Sequence, residues 1–247
     1  MYTVLAFIFG LVFGSFFNVV GLRVPKKESI AYPPSHCTSC NRQLTALDLV
    51  PVLSYVVLRG KCRTCGTHVS PIYPIMELAT GILFAFAYSQ QGFSLAFVMS
   101  LLFISMLVII TVSDIAYMLI PNKVLLFFLP LLVIGRILVP LTPWWDSLLG
   151  AAVGFCLLYI VALLSRGGMG GGDIKLFFVL GIVLGTLKTL LTLAFASAIG
   201  LVIGIVVLRI TKKGRKTPVP FGPSIALAAL ISYFYGETII TWYLQLF

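Results

Sequence analysis

Long apolar stretches without charged residues constrain this chain more than any other feature of its sequence. A helix needs about 20 mostly apolar residues to cross the hydrocarbon core of a bilayer. The chain is 60% hydrophobic and only 10% charged, whereas soluble domains carry about 25% charged residues. We therefore expect an all-α polytopic membrane protein with about eight transmembrane helices, at residues 2–22, 75–90, 94–113, 123–140, 146–165, 174–187, 189–210 and 222–246.

Two of these stretches allow a second interpretation. Residues 2–22 have the position of a signal peptide, but they lack a preceding basic segment and an A-x-A cleavage site, which favours a membrane helix. Residues 174–210 are long enough for one tilted helix. The segment Gly185–Lys188 instead favours a tight turn between two helices.

Basic residues are distributed unevenly among the connecting segments. The net charge is +10, and with eight helices and an external N-terminus 15 of the 17 Lys and Arg residues fall on one side. Only Arg136 and Lys188 fall on the other. This is the positive-inside pattern of cytoplasmic loops. Because the sequence has no basic face with interleaved aromatic residues, we expect membrane lipid, and no nucleic acid, as a partner.

Residues 25–74 form the one sizeable polar segment, and it contains two C-x-x-C pairs, at Cys37, Cys40, Cys62 and Cys65. Two such pairs in a reducing cytosol predict a structural zinc site of zinc-ribbon type, with two disulfides as the alternative. His36 and His68 lie beside the pairs and are interpreted as solvated loop residues. The expected division is therefore a first helix at 1–24, a zinc-binding loop domain at 25–74 and a membrane bundle at 75–247.

The sequence contains seven acidic residues. Glu28 and Asp48 fall in the polar loop, where ordinary hydration is sufficient to stabilise their charges. Asp146 is placed to cap the helix that it begins, and Glu237 has no assigned role. The remaining three, which lie near cytosolic helix ends, are Glu77, Asp114 and Asp173.

Asp114 and Asp173 are the candidate catalytic residues. Asp114 ends an apolar stretch, and a carboxylate at such a position in a membrane is a functional candidate by default. Asp173 follows Gly170-Gly171-Gly172, whose backbone permits the close approach of another chain, although an aspartate after glycines is also an ordinary helix cap. The predicted topology puts both at one membrane face, where two carboxylates that share a proton can activate water and polarise a carbonyl.

These residues resemble the signatures of a known family. Gly170–Asp173 matches the G-x-G-D motif of membrane-embedded aspartic peptidases, and the whole chain is similar to the bacterial type IV prepilin peptidases of the competence type. The similarity extends over further motifs in the same order, which are Gly14–Val19, Arg23–Pro25, the cysteine pairs, Tyr73-Pro74 with Glu77, Asp114 with Ile120–Asn122, and Pro220–Pro223.

The resemblance implies two activities. Members cleave the leader from pilin-like precursors at the cytoplasmic membrane face and then methylate the new N-terminal residue with S-adenosylmethionine. Asp114 and Asp173 match the catalytic pair, and Gly60 and Lys61 match positions linked to methyl transfer. The segment Ala46–Leu49 departs from the Trp-Tyr-x-Asn pattern that is common in the family.

Two other classes of protein remain as alternatives. A membrane transporter with a zinc-stabilised loop would favour internal repeats and charged sites near the bilayer midplane, and neither is apparent in the sequence. A zinc-stabilised scaffold without catalytic function would leave the paired aspartates and the glycine run unexplained.

Overall fold

The computed structural model describes residues 1–165, 170–211 and 220–246. Five of the 15 basic residues predicted on one side of the membrane lie outside this part of the chain, and they are Arg166, Lys212, Lys213, Arg215 and Lys216. So do Gly167, Gly168 and Met169, which precede the G-x-G-D motif.

All the predicted apolar stretches form α-helices. They are α1 (Tyr2–Arg23), α3 (Ile72–Gln91), α4 (Leu95–Tyr117), α5 (Asn122–Leu138), α6 (Asp146–Leu164), α7 (Gly171–Leu184), α8 (Thr186–Thr211) and α9 (Gly222–Leu244). A short α2 (Leu53–Val57) and one turn of 3-10 helix (Ala46–Leu49) lie in the polar loop between α1 and α3.

Six of the described helices are long and apolar enough to cross a membrane, namely α1, α3, α4, α6, α8 and α9. The other two predicted spans are shorter, because α5 has 17 residues and α7 has 14. At 1.5 Å per residue α7 is about 21 Å long, which is less than the roughly 30 Å of a hydrocarbon core.

The chain divides into two compact units, Met1–Val112 and Ser113–Phe247. In the first unit α1 packs closely against α3. A Cβ atom built on Gly10 would lie 2.7 Å from the Cα atom of Gly81, and one on Gly14 would lie 2.8 Å from the Cα atom of Glu77. Small residues four apart allow this close backbone contact between membrane helices.

In the second unit α7 is the central helix. It packs against α5, α6, α8 and α9, and most of its residues from Ile174 to Leu184 are buried. An α-helix that is apolar on all sides is stable in such surroundings. The enclosure by other helices explains how a helix too short to span lipid is accommodated.

The turn between α7 and α8 confirms that residues 174–210 form two helices. Gly185 ends α7 with φ +75°. The carboxylate of Asp146 accepts hydrogen bonds from the N–H group (3.2 Å) and the hydroxyl group (2.6 Å) of Thr186. The prediction that Asp146 caps its own helix is therefore wrong, because its side chain reaches the exposed N–H group at the start of α8.

Two charged residues on the helices also acquire partners. Arg136 on α5 donates to the carbonyl group of Val183, in the last turn of α7, and to that of Val139. Carbonyl groups at the end of a helix lack internal donors, so the guanidinium group satisfies one of them. Glu237 on α9 pairs with Lys188 at 3.4 Å, and its side chain is exposed.

Candidate active site and metal centre

Asp114 lies in the second unit, three residues before the end of α4, and is 6% exposed. Its Oδ2 atom accepts a hydrogen bond of 2.6 Å from the N–H group of Gly222, the first residue of α9. A Cβ atom on Gly222 would lie 2.8 Å from both Cβ and Oδ2 of Asp114. Only glycine leaves enough space here for the helix terminus to reach the carboxylate.

The chain turns sharply after Asp114. Met118 has φ +53°, and its N–H group donates to the carbonyl group of Asp114 at 2.8 Å. The hydroxyl group of Ser113, which is fully buried, donates to the carbonyl group of Leu119 at 2.6 Å. These bonds hold the segment 118–121 against the end of α4.

Asp173 lies in the first turn of α7. Its N–H group donates to the carbonyl group of Gly170 at 3.0 Å, and its carboxylate accepts a hydrogen bond from the Gly170 N–H group. A Cβ atom on Gly172 would lie 2.9 Å from the Cβ atom of Ile120. The glycine therefore lets the segment after Asp114 approach the start of α7.

The structure brings the two predicted catalytic residues together. Asp114 is close enough to Asp173 for a direct electrostatic repulsion between the two carboxylates. A hydrogen bond of 3.1 Å from Lys175 Nζ to Asn122 Oδ1 joins the two polypeptide segments that carry them. Two neighbouring carboxylates that share a proton are able to act as a catalytic pair.

The four predicted metal ligands also meet, in the first unit. The sulfur atoms of Cys37, Cys40, Cys62 and Cys65 all lie within 4.8 Å of one another, and all four cysteines are free. A tetrahedron with Zn–S bonds of about 2.3 Å has S···S edges of about 3.8 Å. The distance of 3.7 Å between Cys37 and Cys65 matches that edge, so the cluster fits a metal ion.

The two cysteine pairs have the same local backbone structure. In the first, Cys37 N–H donates to Arg42 C=O at 2.9 Å, and in the second Cys62 N–H donates to Thr67 C=O at 2.8 Å. The residue after each second cysteine has positive φ, and these residues are Asn41 and Gly66. Asn and Gly adopt that conformation most readily, so the sequence contained this signal.

Hydrogen bonds from Thr67, first from its hydroxyl group and then from its backbone, lower the pKa of Cys65 to about 6. A thiolate is the form that binds metal. At Cys40, by contrast, a hydrogen bond from the Arg42 backbone is outweighed by desolvation and by the neighbouring thiols, which raise the pKa to about 11. His36 and His68 are exposed and lie outside the group of clustered ligands.

The prediction that the Asp48 carboxylate is stabilised by ordinary hydration is wrong. Its side chain is only 4% exposed and forms ion pairs with Arg42 and Arg63, which belong to the two different cysteine pairs. Hydrogen bonds from Thr45, together with these two arginines, hold the pKa of Asp48 below its usual value. Arg42 also donates to the hydroxyl group of Thr64 at 2.9 Å, so polar contacts hold the two pairs together around the metal cluster.

Gly60 and Lys61 lead into the second cysteine pair. Gly60 is buried with φ +68°, and a Cβ atom there would lie 2.9 Å from the Tyr55 hydroxyl oxygen. Its N–H group donates to Tyr55 C=O and its own C=O accepts from Val69 N–H, both at 2.8 Å. Gly60 thus contributes to the loop through its backbone hydrogen bonds and its small size, whereas the Lys61 side chain is exposed.

Sequence reasoning missed the contacts of Gly222 and Asp48. Pro220–Pro223 was recognised only as a motif, because its partner Asp114 lies more than a hundred residues away in the chain. The ion pairs of Asp48 could have been anticipated from the sequence, because Arg42 follows the first cysteine pair and Arg63 lies within the second.

The described fold and the two clusters define a class of protein, a helical membrane protein with a carboxylate pair beside a helix terminus and a cysteine cluster in its polar loop. Two family models match, the bacterial peptidase A24 N-terminal domain at residues 8–91 and the type IV leader peptidase family at residues 101–205. The chain belongs to the type IV leader peptidase family and is a multi-pass protein of the bacterial cytoplasmic membrane.

Its relatives are similar over nearly their whole length. The chain is 44% identical to the prepilin leader peptidase/N-methyltransferase of Bacillus subtilis, with 97% of each chain covered. It is 34% identical to the protein of the same name from Stutzerimonas stutzeri, over 97% of this chain and 93% of the other. No solved structure matches the chain significantly.

Proposed function

We propose that this protein removes the leader peptide from type IV prepilin-like precursors and then methylates the new N-terminal amino group. The observation that carries the proposal is the proximity of Asp114 and Asp173 in the second unit, where each carboxylate accepts a backbone hydrogen bond at the N-terminus of a helix. The family and the names of the relatives support both activities.

Asp114 and Asp173 would share one proton and hydrolyse the peptide bond together. The ionised carboxylate takes a proton from water while the oxygen of that water attacks the carbonyl carbon, and the protonated carboxyl group donates to the carbonyl oxygen. When the C–N bond breaks, one carboxyl group donates a proton to the leaving amine and the other recovers a proton from the tetrahedral intermediate. The pair ends with one proton, as it began.

The polar loop 25–74 would serve methyl transfer as a cytosolic domain between the first helix, 1–24, and the membrane bundle, 75–247. Zinc is the proposed metal, because four thiolates in a tetrahedral cluster favour it and leave no open position for catalysis. S-adenosylmethionine, when bound, supplies a methyl group on a sulfonium centre. Gly60 would shape the loop, and Lys61, with its exposed ammonium group, is the proposed contact for this cofactor.

The experiment that tests the function is incubation of the purified protein with a prepilin precursor and S-adenosylmethionine, read by mass spectrometry of the products. We expect loss of the leader and a mature chain heavier by one methyl group. An unchanged precursor would refute the proposed peptidase, and a mature chain without the added methyl mass would refute the proposed methyltransferase.

Gly222→Val is expected to reduce cleavage by about 100-fold or more, because a displacement of a catalytic group by 1 Å has that effect and the added side chain collides with Asp114. Gly204→Val is the matched control, since a Cβ atom on Gly204 meets no atom within 4 Å. Initial cleavage rates of both variants measure the effect. Equal rates for Gly222→Val and the control would contradict the importance of this contact.

Lys61→Ala is expected to abolish methylation while most cleavage remains, because the Lys61 side chain is exposed in the polar loop and neither aspartate belongs to that loop. Asp173→Asn is expected to methylate a precut substrate but not a full-length precursor. Mass spectrometry of the substrate N-terminus separates the two products. Lys26→Ala, at another exposed loop lysine, is the control, and normal methylation by Lys61→Ala would exclude Lys61 from the site.

A further inference from the structure

A second buried polar cluster lies in the first unit, between α1 and α3. It consists of Ser15 and Asn18 on α1, and Glu77 with the backbone of Tyr73 on α3. Asn18 is 2% exposed and Glu77 is 8% exposed. Neither side chain has a role in the proposed peptide cleavage or in the cysteine cluster.

The two helices place these groups about one helical turn apart. Ser15 hydrogen-bonds with the carboxylate of Glu77, and Asn18 Nδ2 donates to Tyr73 C=O at 3.1 Å. Residues three or four apart on a helix lie on the same face, with Cβ atoms about 5–6 Å apart. Asn18 and Glu77 therefore lie on the facing sides of α1 and α3, about one helical turn apart along the interface.

One acceptor in this cluster has no donor. The contact with Tyr73 C=O requires a donor and so fixes the orientation of the Asn18 amide. Asn18 Oδ1 is then buried without a hydrogen-bond partner. A buried acceptor without a donor is destabilising, and in folded proteins such a group normally has a partner in the protein, in ordered water or in a bound ligand or ion.

Glu77 is also incompletely satisfied. Its Oε2 atom accepts a hydrogen bond of 2.8 Å from Val52 N–H in the polar loop, and Ser15 supplies another. A carboxylate has about four acceptor positions. Within the described part of the chain no Lys or Arg forms an ion pair with Glu77, and a buried carboxylate without a cation is costly.

We propose that Asn18 and Glu77 form a binding site for an ammonium group. An ammonium group has three N–H donors and one positive charge, which are what the unpaired amide oxygen and the carboxylate lack. The inference rests on the proposed methyl transfer, which offers two sources of such a group, the amino group of the methyl donor and the new α-amino group of the cleaved substrate.

The position of the site agrees with this assignment. Val52, which donates to Glu77, immediately precedes α2. Tyr55 in α2 then contacts Gly60, next to Lys61. Glu77 thus connects the membrane helices to the part of the loop that is proposed to take part in methyl transfer.

The variant that tests the proposal is Glu77→Gln, which keeps the size of the side chain and an acceptor for Val52 N–H but removes the charge. Glu237→Gln is the matched control, because Glu237 is an exposed carboxylate on α9. Isothermal titration calorimetry of the full-length protein in detergent measures the binding of S-adenosylhomocysteine and of a precut pilin peptide. Metal content and melting temperature establish that the variant is folded.

We expect Glu77→Gln to weaken the binding of one of the two ligands by at least about tenfold, as hydrogen bonds to charged groups predict. If the donor supplies the ammonium group, S-adenosylhomocysteine binds more weakly and its desamino analogue binds wild type and variant equally. If the substrate supplies the ammonium group, the peptide with a free amino group binds Glu77→Gln more weakly than the wild type. The N-acetylated peptide then binds the two proteins with equal affinity.

Wild-type affinity of Glu77→Gln for both ligands would overturn the proposal and leave the proposed methyl transfer intact. Failure of the wild-type protein to bind either ligand would refute methyl transfer itself, and the ammonium site with it. If Glu77→Gln does not fold, Asn18→Leu, which removes the unpaired oxygen and keeps the side-chain size, is expected to weaken the same ligand. Unchanged binding by that variant would also overturn the proposal.

Discussion

Asparagine at Asp114 or at Asp173 is expected to reduce leader cleavage by at least about a thousand-fold, since removal of one member of a catalytic unit has effects of that size or larger. Asparagine preserves the size and polarity of the side chain but cannot exchange a proton. Because one shared proton has to move between the two carboxylates and the substrate, neither aspartate can be spared. The initial rate of precursor cleavage by the purified variants, measured by mass spectrometry, gives the effect.

Two controls make this prediction specific to the pair. Asp146→Asn alters a half-buried carboxylate whose partner is Thr186, at the turn between α7 and α8, and Glu237→Gln alters an exposed one. Both are expected to retain cleavage. The double variant of Asp114 and Asp173 is expected to be no less active than either single variant, because the two residues act as one unit. Substantial cleavage by either single variant would exclude that aspartate from catalysis.

Replacement of Cys62 and Cys65 by serine is expected to remove the bound metal completely and to unfold the polar loop. A structural zinc site contributes much of the folding free energy of a small domain, and a segment of this size buries too little apolar surface to compensate. We expect one zinc per chain in the wild-type protein and none in the variant, by elemental analysis. Limited proteolysis is expected to cut residues 25–74 of the variant first.

Cys156→Ser is the control for the metal prediction, because Cys156 lies on α6 and outside the cysteine cluster. It is expected to retain the metal and the protease resistance of the wild type. A wild-type protein without zinc, whose cysteines react with iodoacetamide only after reduction, would contradict the metal site and favour the disulfide alternative.

The sequence was sufficient to predict the long apolar helices and the cysteine cluster. Uninterrupted apolar stretches leave a chain few alternatives to membrane helices, because backbone groups in lipid need internal partners. Local spacing was also sufficient for the cysteine cluster, since each C-x-x-C pair forms its own turn. Asp114 and Asp173 were selected because each is a charged residue next to an apolar stretch, although their roles in catalysis remain predictions.

Only the tertiary structure decided the partners of the polar residues. Asp146 caps α8 instead of its own helix, and Asp48 joins the two cysteine pairs instead of being solvated. The contact between Gly222 and Asp114 and that between Glu77 and Val52 link residues far apart in the chain. Apolar burial depends on local composition and needs no particular partner, whereas a hydrogen bond requires a donor and an acceptor at about 3 Å in a suitable direction. Such partners meet only when the helices have packed.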